Sequence, residues 1–408
     1  MVTGIYPTEA RPHSGTFIQT LVDSLRAAGV EVEVIHPAPG PVLWRYLTAI
    51  FQLFRKIWQG NFDIVHGHYG QWCLFARLQW KVPVVAAFLG DDLLGTVTAR
   101  GGYSKQGAII VRLSRWLCRH VDAALVKSKQ MWDAAGHPSA HIIADGIDFE
   151  LFKPMERARL RDELGWRQDG FYLLFGNNPA IPVKNVQLAR AAVACLAKAG
   201  IQAELIVASG LPQSQLVRYM NACNAVLLPS YAEGSPNIVK EAMACNIPVV
   251  ATDVGDVAEL IWGTQGCSLC AAEPAAFASG ILRALQHSGP TTGRQDIAHL
   301  EASLVARRTI AVYQQILAKK GSQRSELENA RSADERERMM RCKIFATHHA
   351  LDIQFLVSPT RNVLISNGLT WKDRVFSWYC AAPSGSSSRL HSSAKSRGTA
   401  KVSVPRPR

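Results

Sequence analysis

A chain of 408 residues is long enough for two domains of ordinary size plus a further segment, and 48% hydrophobic residues can fill real cores, which excludes a chain disordered throughout. The formal net charge is +13, yet residues 321–408 carry 15 Lys/Arg against 7 Asp/Glu, so most of the excess sits in the tail. The body is only mildly basic, which argues against a nucleic-acid-binding domain.

In chain order, Thr16 to Ala28 reads as an amphipathic helix closed by Gly29, and the alternation of Val30 to Pro37 predicts a strand. Residues 42–58 are aromatic, apolar and basic with no acidic residue. That composition fits a helix on an anionic membrane face or a buried helix with snorkelling Arg and Lys. Asp63–His66, Val82–Phe88 and Asp122–Lys127 predict short apolar strands with helices between them. A second series starts at Phe171–Phe175 and continues through Ala203–Val207, Ala225–Pro229 and Pro248–Thr252. Strands alternating with helices give a parallel sheet covered on both faces. Two such series predict an α/β chain of two facing doubly wound, Rossmann-like domains, residues 1–153 and 154–320, joined near Lys153-Pro154. Residues 321–408, rich in Ser and Arg, predict a mostly disordered basic tail with a short ordered piece near 343–378.

Met1 to Pro7 has neither the basic start nor the apolar run of a secretory signal, and no run of eighteen residues is uncharged and strongly apolar. Nine cysteines, an odd number scattered through apolar segments, read as reduced thiols, and the place of action predicted is the cytoplasm. Cys267 and Cys270 form the one CxxC, without the second pair that zinc would need.

The segment Pro229 to Val250 carries the most chemistry. A strand ends at Pro229, a polar loop holds Gly234 and Ser235, and a helix follows with Ser235 as its predicted cap and Pro236 as its first residue. Asn246 suits the left-handed stop. Free N–H groups and the positive dipole end at such a helix start favour an anion, here a diphosphate. Glu233 stands in that loop and Glu241 on the helix, seven residues between them.

This spelling resembles the Glu-x7-Glu motif of the retaining family 4 glycosyltransferases, which have the GT-B fold. Glu-Gly-Ser-Pro-Asn and Glu-Ala-Met-Ala-Cys-Asn are closest to the bacterial branch that builds teichuronic acids, capsules and exopolysaccharides. The resemblance spans roughly residues 1–318. It implies that Glu233 contacts the donor sugar and Glu241 the ribose, with Gly234, Ser235, Pro236, Asn237, Ile238 and Asn177 around the donor. Ser14-Gly15-Thr16-Phe17 resembles the family's N-terminal glycine loop, where backbone approaches the diphosphate; a plain helix cap is the other reading. Val65-His-Gly-His68-Tyr resembles the strand end whose His faces the cleft, and Lys184 matches the lysine that neutralises the diphosphate. Ala144-Asp145-Gly146-Ile-Asp148 resembles the hinge signature, and Asp253 to Glu259 the loop after the motif strand. Three departures stand out: Asn177-Asn178 follows Gly176 where the family usually has Arg, Leu89 replaces a His before Gly90-Asp91-Asp92, and the first strand is nearly absent.

The resemblance implies transfer of a hexosyl unit from a nucleoside-diphosphate sugar, UDP being the nucleotide expected, to a hydroxyl of a glycan or lipid-linked acceptor. Retention of configuration, no metal, no cofactor beyond the sugar nucleotide, and a peripheral place at the inner membrane face go with it. Two alternatives remain at this stage: a non-catalytic scaffold of the same fold that binds nucleotide or a partner, and a nucleotide-sugar epimerase.

Overall fold

The structure is a computed structural model and describes residues 1–354 apart from 38–39, 61, 97–101, 103 and 139. Met1–Ala330 form one compact unit that holds two five-stranded sheets. The first sheet contains β1 (Val2–Thr3), β2 (Val65–His68), β3 (Val84–Ala87), β4 (Ala123–Val126) and β5 (Ala140–Ile142), side by side in that order. The second contains β6 (Phe171–Phe175), β7 (Ala203–Val207), β8 (Ala225–Leu228), β9 (Val249–Thr252) and β10 (Ser268–Cys270), in the order β10-β9-β8-β6-β7. Every strand pair is parallel. The central strands β2, β3, β4, β8 and β9 are buried along their whole length. Sheets covered on both faces demand such continuous apolar runs, which is why these segments were recognisable without alternation.

Helices α1 (Thr16–Ala27), α2 (Val42–Gln59), α3 (Gly70–Arg77), α4 (Asp91–Leu94), α5 (Lys105–Cys118) and α6 (Lys129–Ala135) accompany the first sheet. Helices α7 (Arg157–Leu164), α8 (Val186–Lys198), α9 (Gln213–Ala222), α10 (Asn237–Ala244), α11 (Val257–Ile261), α12 (Pro274–Gln286) and α13 (Gly293–Asp296) accompany the second. The last helix, α14 (Ala302–Gln354), returns to the first sheet, where Val305, Val312 and Ile316 pack with Leu25, Val85 and Leu125. It runs past residue 320 through a Glu- and Arg-rich stretch whose residues are good helix formers. Residues 355–408, most of the predicted disordered tail, lie outside the described residues.

Val30 to Pro37 is not a strand, contrary to its alternation. Only Ile35 bridges to Val2, through Thr3 N–H to Ile35 O (3.0 Å) and Ile35 N–H to Met1 O (2.8 Å). Its neighbour β1 has two residues, too few to template a longer ladder.

In the second sheet the chain leaves β6 to one side to make β7 and returns on the other side to make β8. The carboxyl ends of β6 and β8 are therefore a topological switch point, the place where open α/β sheets take their ligands.

Candidate functional site

A cavity of about 640 Å³ opens at that switch point. Asn177, Lys184, Glu233, Glu241 and residues 235–238 line it from the second sheet, and Thr16, Phe17, Tyr69, Trp72 and Leu89 line it from the first.

Lys184 ends a short 3-10 turn, Pro182–Lys184, and the loop after β8 is tied to that turn by Tyr231 N–H donating to Val183 O at 2.8 Å. The stitch brings Lys184 Nζ to both carboxylate oxygens of Glu233, 2.7 and 2.9 Å away. Ser230 Oγ, itself buried, donates to Glu233 Oε1 at 2.7 Å. Thr252 of β9 holds that turn through Oγ1 to Ser230 O, 2.6 Å. Glu233 is thus a charged acceptor fixed from two sides, with a cation beside it.

Glu241 lies on α10, one turn in, and is 7% exposed. Burial pushes its carboxyl up to about 7, with the neighbouring Lys240 charge opposing the shift. Gln213, first residue of α9, reaches it with Nε2 3.4 Å from Oε1.

Lys240 is fully buried. Its ammonium donates to Asp145 O (3.2 Å) and to Ser235 Oγ (3.1 Å), and Ser235 Oγ donates to Asp256 Oδ2 (2.6 Å). Burial pulls the amine down from its ordinary value; Asp145 and Asp256 pull it back up. The Asp145 carboxylate is in turn paired with Lys127, at the end of β4, 2.7 Å away. A chain of polar contacts therefore runs from the first sheet through the crossover to the loop that borders the cavity.

The helix start differs from expectation. α10 begins at Asn237 with Pro236 at its cap position and no side-chain cap. Ser235 does not cap it because its hydroxyl is engaged with Asp256 and Lys240. Asn246 does take the left-handed conformation, φ 55°, just beyond the helix.

Of the residues singled out in the sequence, Lys184, Glu233, Glu241, Thr16, Asn177, Ser235, Pro236, Asn237 and Ile238 meet at the cavity. Asn177 carries a buried Nδ2 that finds no protein acceptor. Three do not line it. Gly15 is the left-handed cap of α1, φ 72°, and a Cβ there would stand 2.8 Å from the Ile5 carbonyl. Gly234 is where the two halves touch: a Cβ would lie 2.5 Å from Leu89 O and 2.9 Å from Gly90 Cα. His68, expected to face the cleft, is 1% exposed and stacks on His66 at 4.3 Å. Burial holds both imidazoles well below their ordinary range, so both are neutral. His66 Nδ1 pairs with the Tyr313 hydroxyl at 2.6 Å, whereas neither His68 nitrogen has a protein partner.

Two family models match. Residues 10–137 match the "Glycosyl transferase 4-like domain" and residues 168–287 match "Glycosyl transferases group 1", together more than half of the chain. The chain is a glycosyltransferase. Among curated relatives it is 26% identical to D-inositol 3-phosphate glycosyltransferase of Arthrobacter sp. (strain FB24), over 68% of this chain and 82% of the relative. Its fold is that of solved GT-B enzymes. Sucrose-phosphate synthase from Thermosynechococcus elongatus superposes with TM-score 0.59 at 16% identity, covering 74% of this chain and 93% of that one. Anabaena HepE, solved with UDP and glucose, superposes with TM-score 0.54 at 16% identity, covering 79% and 99%.

Several residues of this glycosyltransferase's site were not visible in advance. Ser230 and Gln213 are polar residues in ordinary loop and helix-start positions, and only the fold brings them onto Glu233 and Glu241. Lys240 did carry a signal. It interrupts a helix whose residues from Ile238 to Ala244 are otherwise almost wholly apolar, and a lysine there must find partners inside.

Proposed function

We propose that the enzyme transfers a hexosyl unit from a UDP-sugar to a hydroxyl of a glycan or lipid-linked glycan in cell-surface polysaccharide synthesis, with retention and without a metal. The observation that carries the reading is the grouping of Lys184, Glu233 and Glu241 around the start of α10 in one cavity at the switch point. The start of α10 and Lys184 offer N–H groups and a cation to a diphosphate, and their value grows as its leaving oxygen gathers charge. Glu233 accepts from sugar hydroxyls and favours positive character on the ring. Glu241 accepts from the ribose diol. In the transfer the bond from the sugar's anomeric carbon to the phosphate oxygen breaks and its electron pair leaves on the diphosphate. The acceptor oxygen bonds the same carbon, and its proton departs on the phosphate. HepE, with UDP and glucose in its structure, supports the choice of nucleotide.

The membrane part of the reading rests on α2. Leu43, Trp44, Phe51 and Trp58 are each more than 60% exposed, while Ala49, Leu53 and Ile57 on the opposite side are buried. Arg55 is exposed beside that face, and the helix has no acidic residue. No helix among the described residues is long and apolar enough to cross a membrane.

The test is product formation with EDTA present: UDP-glucose, UDP-galactose and UDP-N-acetylglucosamine are offered with an extract of membrane glycolipids, and the product's anomeric proton coupling is read by NMR. Sugar transfer with the donor's anomeric configuration supports the proposal; a strict metal requirement or inversion contradicts it. Sedimentation with phosphatidylglycerol vesicles tests α2: binding should fall when Trp44 and Phe51 are replaced by Ser.

A further inference from the structure

The cavity wall from the first sheet contains a backbone outlier. Tyr69 has φ 75° and ψ 134°. The other non-glycine residues with positive φ among the described residues, Asn185 and Asn246, sit at helix ends with an amide side chain suited to that region. A tyrosine in this conformation costs about 1–3 kcal/mol and persists only where the surroundings hold it. Here they do: Tyr69 N–H donates to Ala87 O (2.8 Å), and its own carbonyl accepts from Trp72 N–H and Cys73 N–H (both 3.0 Å) to start α3. The result is a phenol ring set in the cavity wall, its hydroxyl donating to the exposed Asp91 carboxylate at 3.1 Å. Trp72 stands beside it, backed by Tyr46 stacked at 5.2 Å. Gln71, also in the wall, takes the Tyr46 hydroxyl on Oε1 (3.1 Å), which leaves its N–H pair to donate.

An aromatic face and a carboxamide donor in the wall, with the Tyr69 hydroxyl held by Asp91 outside it, suit a neutral sugar ring: C–H faces pack on the ring and sugar hydroxyls accept from the amide. They are poor partners for a phosphate. The cation on the facing wall, Lys184, is the one assigned above to the donor diphosphate. The relatives at about a quarter identity are named for inositol 3-phosphate, an anionic compound.

We propose that Tyr69 is the acceptor-positioning residue and that the acceptor group it takes is a neutral pyranose rather than a phosphorylated polyol. This rests on the transfer-site reading above. Lost contact with Tyr69 should weaken the acceptor and leave the nucleotide nearly untouched, since Lys184, Glu233 and Glu241 lie on the other wall.

The test is saturation-transfer NMR on the full chain with UDP present, using methyl glycosides of glucose, mannose, galactose and N-acetylglucosamine beside myo-inositol 3-phosphate. Calorimetric titration of UDP runs in parallel. At least one methyl glycoside should bind, about tenfold more weakly in Tyr69→Ala, while UDP affinity stays within about twofold. Tyr69→Phe keeps the ring and backbone and guards against misfolding; it should lose a few-fold through the missing bond to Asp91. Tighter binding of inositol 3-phosphate than of every glycoside, binding of no glycoside, or equal glycoside affinity in wild type and Tyr69→Ala overturns the proposal. Failure of UDP itself to bind would instead count against the donor site.

Discussion

Glu241→Gln should make the protein more stable and worse at its work, and the two effects should share one pH dependence. The Glu241 carboxyl is raised by burial from 4.5 to about 7. A carboxyl whose folded value is raised binds a proton in the folded state where the unfolded chain has lost it. Stability therefore falls as pH rises from about 4.5 through 7, the reverse of the usual salt-bridged carboxylate. The shift corresponds to roughly 3 kcal/mol at about 1.4 kcal/mol per unit. Glutamine has nearly the same shape and can keep the contact with Gln213. Urea unfolding of both proteins from pH 4 to 8 should show no difference near pH 4 and an advantage for Glu241→Gln of about 3 kcal/mol at pH 8. UDP affinity of the wild type should rise between pH 6 and 8 as the carboxylate forms and becomes the better acceptor for ribose hydroxyls, while the variant stays flat. A stability difference that is constant with pH, or one that favours the wild type at pH 8, would refute the argument.

Lys184→Ala should lower kcat by about 10²–10³-fold by removing a cation from the departing diphosphate, read by initial rates with saturating donor, and should cost about 1–3 kcal/mol of stability because Glu233, with its side chain 11% exposed, loses its counter-charge. Gly234→Ala forces apart backbones that allow 2.5 Å to a new Cβ, so it should destabilise by about 1–3 kcal/mol and weaken UDP binding together, seen in thermal unfolding and calorimetry. Lys240→Met strands Asp256 and the Asp145 carbonyl in a buried setting, at a cost of about 3 kcal/mol in urea unfolding.

The sheets were legible because each central strand is buried on both faces and must spell itself as an apolar run: Val84–Ala87, Phe171–Phe175 and Val249–Thr252 stand where the sequence places them. Periodicity failed for Val30 to Pro37, where alternation is present but the neighbouring strand is too short to pair with it. Glu233 and Glu241 were legible because one loop and the helix after it fix their spacing locally, whereas Lys184 was legible only through the family resemblance and reaches Glu233 by way of the Tyr231–Val183 contact. What could not be read depends on packing between distant segments. His68 faces its own core rather than the cavity, Gly234 serves a contact with Leu89 and Gly90, and Tyr69 owes its conformation to the β3 carbonyl above it.

If Lys184, Glu233 and Glu241 frame a nucleotide-diphosphate site, nucleotide binding must depend on them. Calorimetric titration of UDP, GDP, ADP and dTDP in EDTA, with wild type and Glu241→Ala side by side, tests it most directly. UDP should bind without metal, and clearly more weakly to the variant. Folded protein that binds none of the four, or binds UDP equally well without Glu241, would contradict it.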